Sequence, residues 1–261
     1  MGVVPEMLEV EEYRRAADLA VGHDVTRVDA PDPWFLKGGT TPEALQRLVG
    51  QTVRGTRRIG KLLLVDLDDD VLGLRFGMTG RLLVDGHAPI ERLEYSSHRV
   101  EPQWIRFALG FADLGDLVLL DPRRLGGVEL DPDTSRLGPD ALAVGPAGLR
   151  RILERSRAPL KAVLLDQSRI AGIGNLLADE MLWRAGLDPA RAAASLSDAE
   201  VRRLHRHLRA TIRELGDRGG SHTGDLHVHR VRGATCPRDG TPLERRTIGG
   251  RTTYSCPRHQ R

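Results

Sequence analysis

Cysteine is scarce in this sequence, and long apolar runs are missing. The 261 residues include two cysteines, Cys236 and Cys256, both near the C-terminus. Two cysteines are too few for the disulfide framework that stabilises many small secreted proteins. No apolar run approaches the roughly 18 residues of a membrane-spanning helix, and no signal-peptide pattern opens the chain. We therefore expect a cytoplasmic protein with no membrane association.

Basic residues are unevenly distributed along the chain. The formal net charge is +3, and the isoelectric point is about 9.2. The basic side chains form three groups, which are Arg54, Arg57, Arg58 and Lys61, then Arg123 and Arg124, and finally eight arginines against two acids in the last 32 residues. Such groups favour a polyanionic partner, with an ordinary arginine-rich surface as the alternative.

The residue pattern predicts an α+β protein, and its length allows two or three domains. Residues 5–130 are predicted to form a helix, Glu9 to Val21, followed by short strands bounded by Gly, Asp or Pro. The predicted strands are Val71–Arg75, Arg81–Val84, Trp104–Phe111 and Leu117–Leu120, and a further strand begins at Leu62. Gly, Asp and Pro in residues 131–148 indicate a linker.

Residues 149–220 are predicted to be helical, and residues 226–261 to form a small terminal module. The last long helix, Asp198 to Leu215, follows Ser197, with Glu200 placed three positions later as in a capping box.

Two glycines separate the central helices. An apolar helix, Leu160 to Leu165, runs towards Gly172 and Gly174, and Asn175 follows at once. We place Asn175 at the N-cap of the next helix, whose N-terminus can bind a phosphate. An ordinary helical hairpin with a capping asparagine is the alternative.

The stretch from Asp166 to Trp183 resembles, nearly residue for residue, the helix-two-turn-helix element of the formamidopyrimidine-DNA glycosylase/endonuclease VIII family of base-excision repair enzymes. The resemblance covers the chain from Pro5 to His259. It implies an N-terminal β-sandwich flanked by helices, a helical domain and a C-terminal β-hairpin that resembles a zinc finger. It also implies a monomeric, nucleoid-associated DNA glycosylase with abasic-site lyase activity, whose partner is damaged double-stranded DNA.

The family places its nucleophile at the mature N-terminus, and the resemblance assigns that role to Pro5, with Glu6 as the general acid/base. Residues 1–4 precede Pro5 in this sequence. A free N-terminal proline is a nucleophilic secondary amine, whereas an internal proline is a tertiary amide with no available lone pair. Either translation begins at Val4 and the initiator methionine is then removed, or the extension is retained and the nucleophile is lost. On spacing alone, Glu6 could also be an acid that complements a helix dipole.

Further site residues follow from the resemblance. Lys61 would approach the damaged nucleotide, and Met78 would enter the gap left by the flipped base. Arg123 and Arg124 belong to the motif that contacts the orphaned base, in which the family usually has Phe in place of Leu125. The structural alternatives are a solvated surface for Lys61 and a gap-filling core residue for Met78.

The terminal module has a metal-site spacing. Cys236 and Asp239 are separated by sixteen residues from Cys256 and His259, where the family has two Cys-x-x-Cys pairs. The resemblance implies a Zn2+ site with a non-standard set of two cysteines, one aspartate and one histidine, which we expect to be weaker than the usual set. Alternatively, His222, His227 or His229 supplies a ligand, or the hairpin folds without metal.

Asn175 and Arg251 would together hold the phosphates that flank the lesion, because guanidinium binds phosphate in a bidentate manner. The segment from Gly219 to Thr235 is short, which resembles the endonuclease VIII branch and its preference for oxidised pyrimidines. The rival functions are a catalytically silent protein that binds damaged or abasic DNA, and a lyase that works through Lys61 alone.

Overall fold

A computed structural model describes residues 5–90, 93 and 99–261. The chain divides into two compact units, one formed by residues up to 135 and the other by residues 136–261. This boundary falls inside the predicted linker. Helices and strands both contribute, so the expected α+β class is confirmed.

The first unit begins with a helix and continues mainly as strands. Its helices are α1 (Met7–Ala17) and the single turn α2 (Pro42–Leu45). Its strands are β1 (Val25–Asp29), β2 (Val53–Ile59), β3 (Leu62–Leu67), β4 (Val71–Arg75), β5 (Arg81–Val84), β6 (Ile105–Phe111), β7 (Gly115–Leu120) and β8 (Gly127–Leu130).

These eight strands form two antiparallel sheets, with strand orders β1-β6-β7-β5 and β2-β3-β4-β8. Apolar side chains from both sheets and from α1 share one core, which includes Tyr13, Leu63 and Phe107. The expected β-sandwich flanked by helices is therefore confirmed. Its core is buried because the inward positions of each strand are apolar.

The second unit is helical and ends in a hairpin. Its helices are α3 (Pro146–Glu154), α4 (Leu160–Leu165), α5 (Asn175–Ala185) and α6 (Asp198–Asp217). Strands β9 (Glu244–Ile248) and β10 (Arg251–Ser255) pair antiparallel at the C-terminus. Among the described residues, no helix is both long and apolar enough to cross a membrane.

The structure corrects the helix start predicted at Asn175. The N-cap of α5 is Gly174, whose backbone is extended, and Asn175 is the first helical residue. An extended N-cap followed by helical dihedrals defines the boundary, and a glycine satisfies this geometry without strain. Strands β1, β2 and β8 were not predicted, because β1 alternates irregularly, β2 is rich in arginine and β8 begins at a glycine.

The predicted capping box at the start of α6 is confirmed. The Ser197 hydroxyl accepts a hydrogen bond from the Glu200 N–H at 3.4 Å, and the Ser197 N–H donates to the Glu200 carboxylate at 2.8 Å. The guanidinium of Arg191 also binds that carboxylate, at 2.6 and 2.9 Å. Chiefly because of Arg191, the pKa of Glu200 is lowered to about 2.

We predict that Glu200→Gln destabilises the protein by about 1 to 2 kcal/mol at pH 7, since solvent partly screens the pair. A depressed carboxyl pKa contributes stability above the ordinary pKa of 4.5, and this stability is lost as the pH falls towards about 2. The difference between variant and wild type in urea denaturation should therefore be constant above pH 5 and smaller at pH 3.5.

Asp198→Asn is the matched control, because Asp198 lies in the same helical turn and its side chain is 68% exposed. This control should change stability by less than about 0.5 kcal/mol. A difference for Glu200→Gln that does not shrink at pH 3.5 would contradict the assignment.

Candidate functional site

The start of α1 holds Pro5 and Glu6 in a buried position. Pro5 is buried, and Glu6 is 2% exposed. The Glu6 N–H donates to the Glu9 carboxylate at 2.8 Å, and the Glu6 carboxylate accepts from the Glu9 N–H, which makes a capping box. The structural role considered for Glu6 is therefore real, and it fixes the direction of the Glu6 carboxylate.

Lys61 lies at the tip of the β2–β3 hairpin. Gly60 and Lys61 form its two-residue turn, with Gly60 at a φ of 59°. A positive φ at the first turn position favours glycine and matches the twist of the strands. Helix α1 packs on both strands, and the Arg58 guanidinium donates to the Glu11 carboxylate at 3.1 Å. The hairpin that carries Lys61 is thereby attached to the helix that follows Glu6.

The arginines of this hairpin bind acids within the same unit. Arg54 pairs with Asp68 at 2.6 Å, and Arg57 pairs with Asp66 at 2.9 Å. Arg58 is also largely buried, with 7% of its side chain exposed. The first basic group is therefore mostly neutralised by neighbouring carboxylates, which weakens it as evidence for a polyanionic partner.

Met78 and Leu125 lie on two loops in direct contact. Gly77 has a φ of 54°, and a Cβ at this position would lie 2.5 Å from the Leu125 backbone. Met78 is 36% exposed and Leu125 is 47% exposed, so neither is a core residue. The Tyr13 hydroxyl of α1 donates to the Gly80 carbonyl at 3.1 Å, which connects this loop to the first helix.

Asp121 shapes the loop of residues 122–126. Its buried carboxylate accepts the N–H groups of Arg123, Leu125 and Gly126, at 3.1, 2.8 and 2.8 Å, and the Thr79 hydroxyl. The loop consequently presents Arg123 and Leu125 to solvent. Sequence reasoning missed Asp121, although an acid directly before Pro122 is a common loop signal.

Arg124 has a different environment from Arg123. Its guanidinium binds the carboxylate of Asp32, which is 8% exposed and also pairs with Arg106 at 3.3 Å. The backbone of Arg124 has a positive φ of 57°. Arg124 therefore stabilises the loop, and its predicted contact with DNA stays a prediction.

In the second unit, Asn175 contacts the terminal hairpin. Its side-chain amide donates to the Thr252 carbonyl at 3.2 Å. Gly249 and Gly250 form the hairpin turn, with φ values of 58° and 70°, and Arg251 follows with an exposed side chain. Two successive positive φ values explain the Gly-Gly pair. The structure thus brings together the two residues predicted to bind phosphate.

A buried ion pair attaches the hairpin to the helices. Lys161 Nζ lies 2.6 Å from Asp179 Oδ1, and both side chains have no exposed surface. Arg230 also pairs with Asp179, at 2.9 Å, and the Tyr254 N–H donates to it at 3.3 Å. Lys161 further donates to the Thr253 hydroxyl at 2.8 Å. Sequence reasoning missed this pair, although a lysine inside an apolar helix was its signal.

Cys236, Asp239, Cys256 and His259 form one cluster that could hold a metal ion, with one ligand atom of each within 4.8 Å of the others. Cys236 Sγ lies 3.8 Å from His259 Nδ1, Cys256 Sγ lies 3.4 Å from Asp239 Oδ2, and His259 Nδ1 lies 3.1 Å from Asp239 Oδ2. Tetrahedral bonds of about 2.3 Å to sulfur and about 2.0 Å to nitrogen or oxygen give separations of about 3.5 Å and about 3.3 Å. The residues therefore fit a four-coordinate ion.

Trp183 supports this cluster. Its indole N–H donates to Cys236 Sγ at 3.3 Å, and His259 Nε2 lies 3.3 Å from the Trp183 carbonyl. A hydrogen bond from Nε2 leaves Nδ1 as the metal-facing atom of His259. A hydrogen bond from Thr241 lowers the pKa of Asp239, and burial raises the pKa of the Cys256 thiol. His222, His227 and His229 are not members of the cluster.

Family models match most of the chain. The model described as the formamidopyrimidine-DNA glycosylase N-terminal domain matches residues 4–128. The model described as the formamidopyrimidine-DNA glycosylase H2TH domain matches residues 137–225.

Individual relatives match over nearly their full length. The formamidopyrimidine-DNA glycosylase of Geobacillus kaustophilus is 38% identical, with 99% of this chain and 100% of the relative covered. That of Thermus thermophilus is 36% identical, with 97% of each covered. The structure of the Lactococcus lactis enzyme in complex with a FAPY-dG-containing DNA has a TM-score of 0.82 at 26% identity, with 98% of this chain and 100% of that chain covered.

The buried ion pair makes a prediction about the hairpin. Asp179→Asn should destabilise the protein by about 3 to 5 kcal/mol, because Lys161 would keep a buried charge without its carboxylate. Amide hydrogen exchange should become faster at Thr252, Thr253 and Tyr254. The control is Asp188→Asn, since Asp188 pairs with Arg246 of the same hairpin at a partly exposed position. It should cost about 1 kcal/mol or less, and equal effects of the two substitutions would contradict the role given to Asp179.

Proposed function

The chain belongs to the formamidopyrimidine-DNA glycosylase family, and we propose that it is a base-excision repair enzyme that removes oxidised bases from DNA and also cleaves the strand at the resulting abasic site. Its substrate would be damaged double-stranded DNA. The monomeric state and the cytoplasmic, nucleoid-associated location stay predictions.

The observation that carries this proposal is the position of Pro5 and Glu6. A buried acid directly follows the proline, at the start of a helix that packs on the Lys61 hairpin and bonds to the Met78 loop. Glu6, Lys61 and Met78, which are expected near the nucleophile of a glycosylase, therefore all lie in the N-terminal unit. The near-complete match to relatives named as glycosylases supports the same function.

In the proposed reaction, the Pro5 amine attacks the sugar C1′ and the bond to the damaged base breaks. The base departs with the bonding electron pair and takes up a proton. Glu6 gives a proton to the ring oxygen as the sugar opens, and loss of the remaining amine proton leaves an iminium between Pro5 and C1′. A secondary α-amine with a pKa of about 8 is partly neutral at physiological pH and can begin this sequence. Lys61 would assist the later elimination of the phosphate.

This chemistry requires that residues 1–4 be absent from the active protein. We propose that translation starts at Val4 and that the initiator methionine is removed, which leaves Pro5 as the N-terminus. The match to the family N-terminal domain begins at residue 4 and therefore includes Pro5 and Glu6. The rival protein, which keeps residues 1–4 and binds damaged DNA without chemistry, is not favoured by relatives that are named as glycosylases.

The DNA contacts are proposed for residues of both units. Met78 and Arg123 would occupy the gap that the flipped base leaves, because their loops lie side by side with exposed side chains. Asn175 and Arg251 would bind phosphates, since Thr252 holds them next to each other. We propose Zn2+ for the four-residue cluster, because the sulfur, nitrogen and oxygen set with tetrahedral spacing suits this ion.

The lesion itself is proposed as an oxidised base, with a formamidopyrimidine as the first substrate to test. A solved relative binds a FAPY-dG-containing DNA, and the relatives named above are formamidopyrimidine-DNA glycosylases. The short segment from Gly219 to Thr235 favours oxidised pyrimidines instead, so both substrate classes belong in the same assay.

We predict that borohydride traps a covalent complex with abasic-site DNA when the chain begins at Pro5, because reduction of the iminium between the amine and the sugar gives a stable amine that joins protein and DNA. Intact mass must first verify the free proline. Glu6→Gln should slow base release by about 100-fold or more, as expected for loss of a general acid. Its melting temperature should stay close to that of the wild type.

The 261-residue chain with Met1 retained is the control and should not be trapped. Equal trapping of this chain would show that Pro5 is not the nucleophile. If that trapping were then lost in Lys61→Ala, Lys61 would be the reacting amine.

The metal proposal predicts about one zinc ion per chain by elemental analysis. Cys256→Ser should remove the zinc and the binding of damaged DNA, because the hairpin is too small to fold on its own core. Asp239→Cys should tighten zinc, since a thiolate is the better ligand. Glu244→Gln, a change at an exposed acid of β9, should leave the zinc content unchanged. Zinc-free protein that still binds and incises DNA would overturn the proposal.

A further inference from the structure

Trp34 is an aromatic side chain that the folded first unit leaves in solvent. It is 69% exposed, more than any other large apolar side chain among the described residues. Exposure of an indole is unfavourable, and aromatic residues on a surface often mark a binding site. Trp34 plays no part in the function proposed above.

The position of Trp34 is fixed rather than loose. It lies in a short 3-10 helix, Pro33–Phe35, between the fully buried Phe35 and the buried, ion-paired Asp32. Lys37 Nζ donates to the Trp34 carbonyl at 2.8 Å and lies 5.3 Å from the centre of the indole ring. A cation over one face of the ring helps to orient it.

This segment runs beside the loop that carries Arg123 and Leu125. Asp32 binds Arg124, and Leu36 forms a parallel bridge with Val128. Trp34 lies in the chain between Asp32 and Phe35, and both of these residues contact this loop. The contact is close, because a Cβ at Gly126 would lie 3.1 Å from Phe35 Cζ.

Trp34 is therefore exposed on a segment that borders the loop of Leu125, which in turn contacts the loop of Met78. These three side chains are exposed. The Met78 loop contacts the Leu125 loop at Gly77, and the Leu125 loop contacts the Trp34 segment where Gly126 meets Phe35. Lys37 and Arg123 add positive charge at the same edge, while the charge of Asp32 is neutralised by Arg106 and Arg124. Exposed aromatic and aliphatic groups with cations around them suit unpaired bases and the neighbouring phosphates.

The loop at position 125 lacks an aromatic ring, which Trp34 could supply. The resemblance gives this loop a phenylalanine, whereas Leu125 has no ring to stack on a base. We propose that Trp34 is a base-stacking residue that replaces this missing aromatic contact and binds the unpaired base facing the lesion. This inference rests on the proposed function, since its ligand is damaged duplex DNA.

Binding to a duplex that contains a tetrahydrofuran abasic analogue tests the proposal. This analogue has no C1′ substituent to expel, so binding does not depend on Pro5 chemistry. Trp34→Ala should lower affinity for this duplex by about 10-fold, from the stacking of one base. Its affinity for the undamaged duplex of the same sequence should change by less than about 2-fold. Trp34→Phe should retain most of the affinity.

Two further variants separate stacking from a general loss of contact. Adding Leu125→Phe to Trp34→Ala should restore affinity for the abasic duplex, because the ring is returned to the same surface. Leu19→Ala is the matched control, since Leu19 is another exposed apolar residue, 59% exposed, outside these loops. It should change neither affinity.

Fluorescence gives a readout that does not depend on affinity. The chain has three tryptophans, Trp34, Trp104 and Trp183. Binding of the abasic duplex should quench the wild type more than Trp34→Phe. Equal quenching, unchanged affinity of Trp34→Ala, or equal weakening for both duplexes would overturn the stacking role. A wild type with no preference for the abasic duplex would instead overturn the proposed function, and this inference with it.

Discussion

The buried carboxylate of Asp179 attaches the terminal hairpin to the helices of the C-terminal unit. It has almost no access to water, so Lys161, Arg230 and the Tyr254 N–H must compensate its charge. These partners come from a helix, a loop and the last strand, and they meet only in one arrangement. The Thr252 carbonyl is then held where it accepts from the side chains of Asn175, Lys161 and Arg230. Arg251 directly precedes Thr252 on this strand, and its side chain is exposed.

Asp121 is the corresponding buried acid of the N-terminal unit. Its carboxylate accepts backbone N–H groups from the following loop and so determines which side chains of that loop are exposed. In both units, a buried acid sets the backbone and the neighbouring exposed residues are the candidates for DNA contact. Arg58 and Arg124 stabilise the fold instead, because each binds a carboxylate of its own unit. The number of arginines in a segment does not distinguish those that stabilise the fold from those that could contact DNA.

Local signals in the sequence predicted much of this structure. Strands Val71–Arg75 and Arg81–Val84, the helix Leu160–Leu165 and the Ser197–Glu200 cap all lie where their patterns place them. The resemblance supplied the cluster of four metal-binding candidates that the fold brings together. The pairing of Arg57 with Asp66 could not be predicted, because it depends on the register between β2 and β3. The one-residue error at Asn175 has a similar origin, since the extended backbone of Gly174 depends on the preceding turn.

The capping boxes at the start of α1 and of α6 differ in how deeply their side chains are buried. At α6, Ser197 and Glu200 cap the helix at the protein surface, so capping does not require burial. At α1, Glu6 and Glu9 perform the same backbone contacts while 2% and 1% exposed. The burial of these two carboxyl groups is therefore not a requirement of the cap itself. A buried acid beside Pro5 is, however, what a proton donor at an opening sugar requires. The burial of Glu6 therefore supports its proposed role as the proton donor.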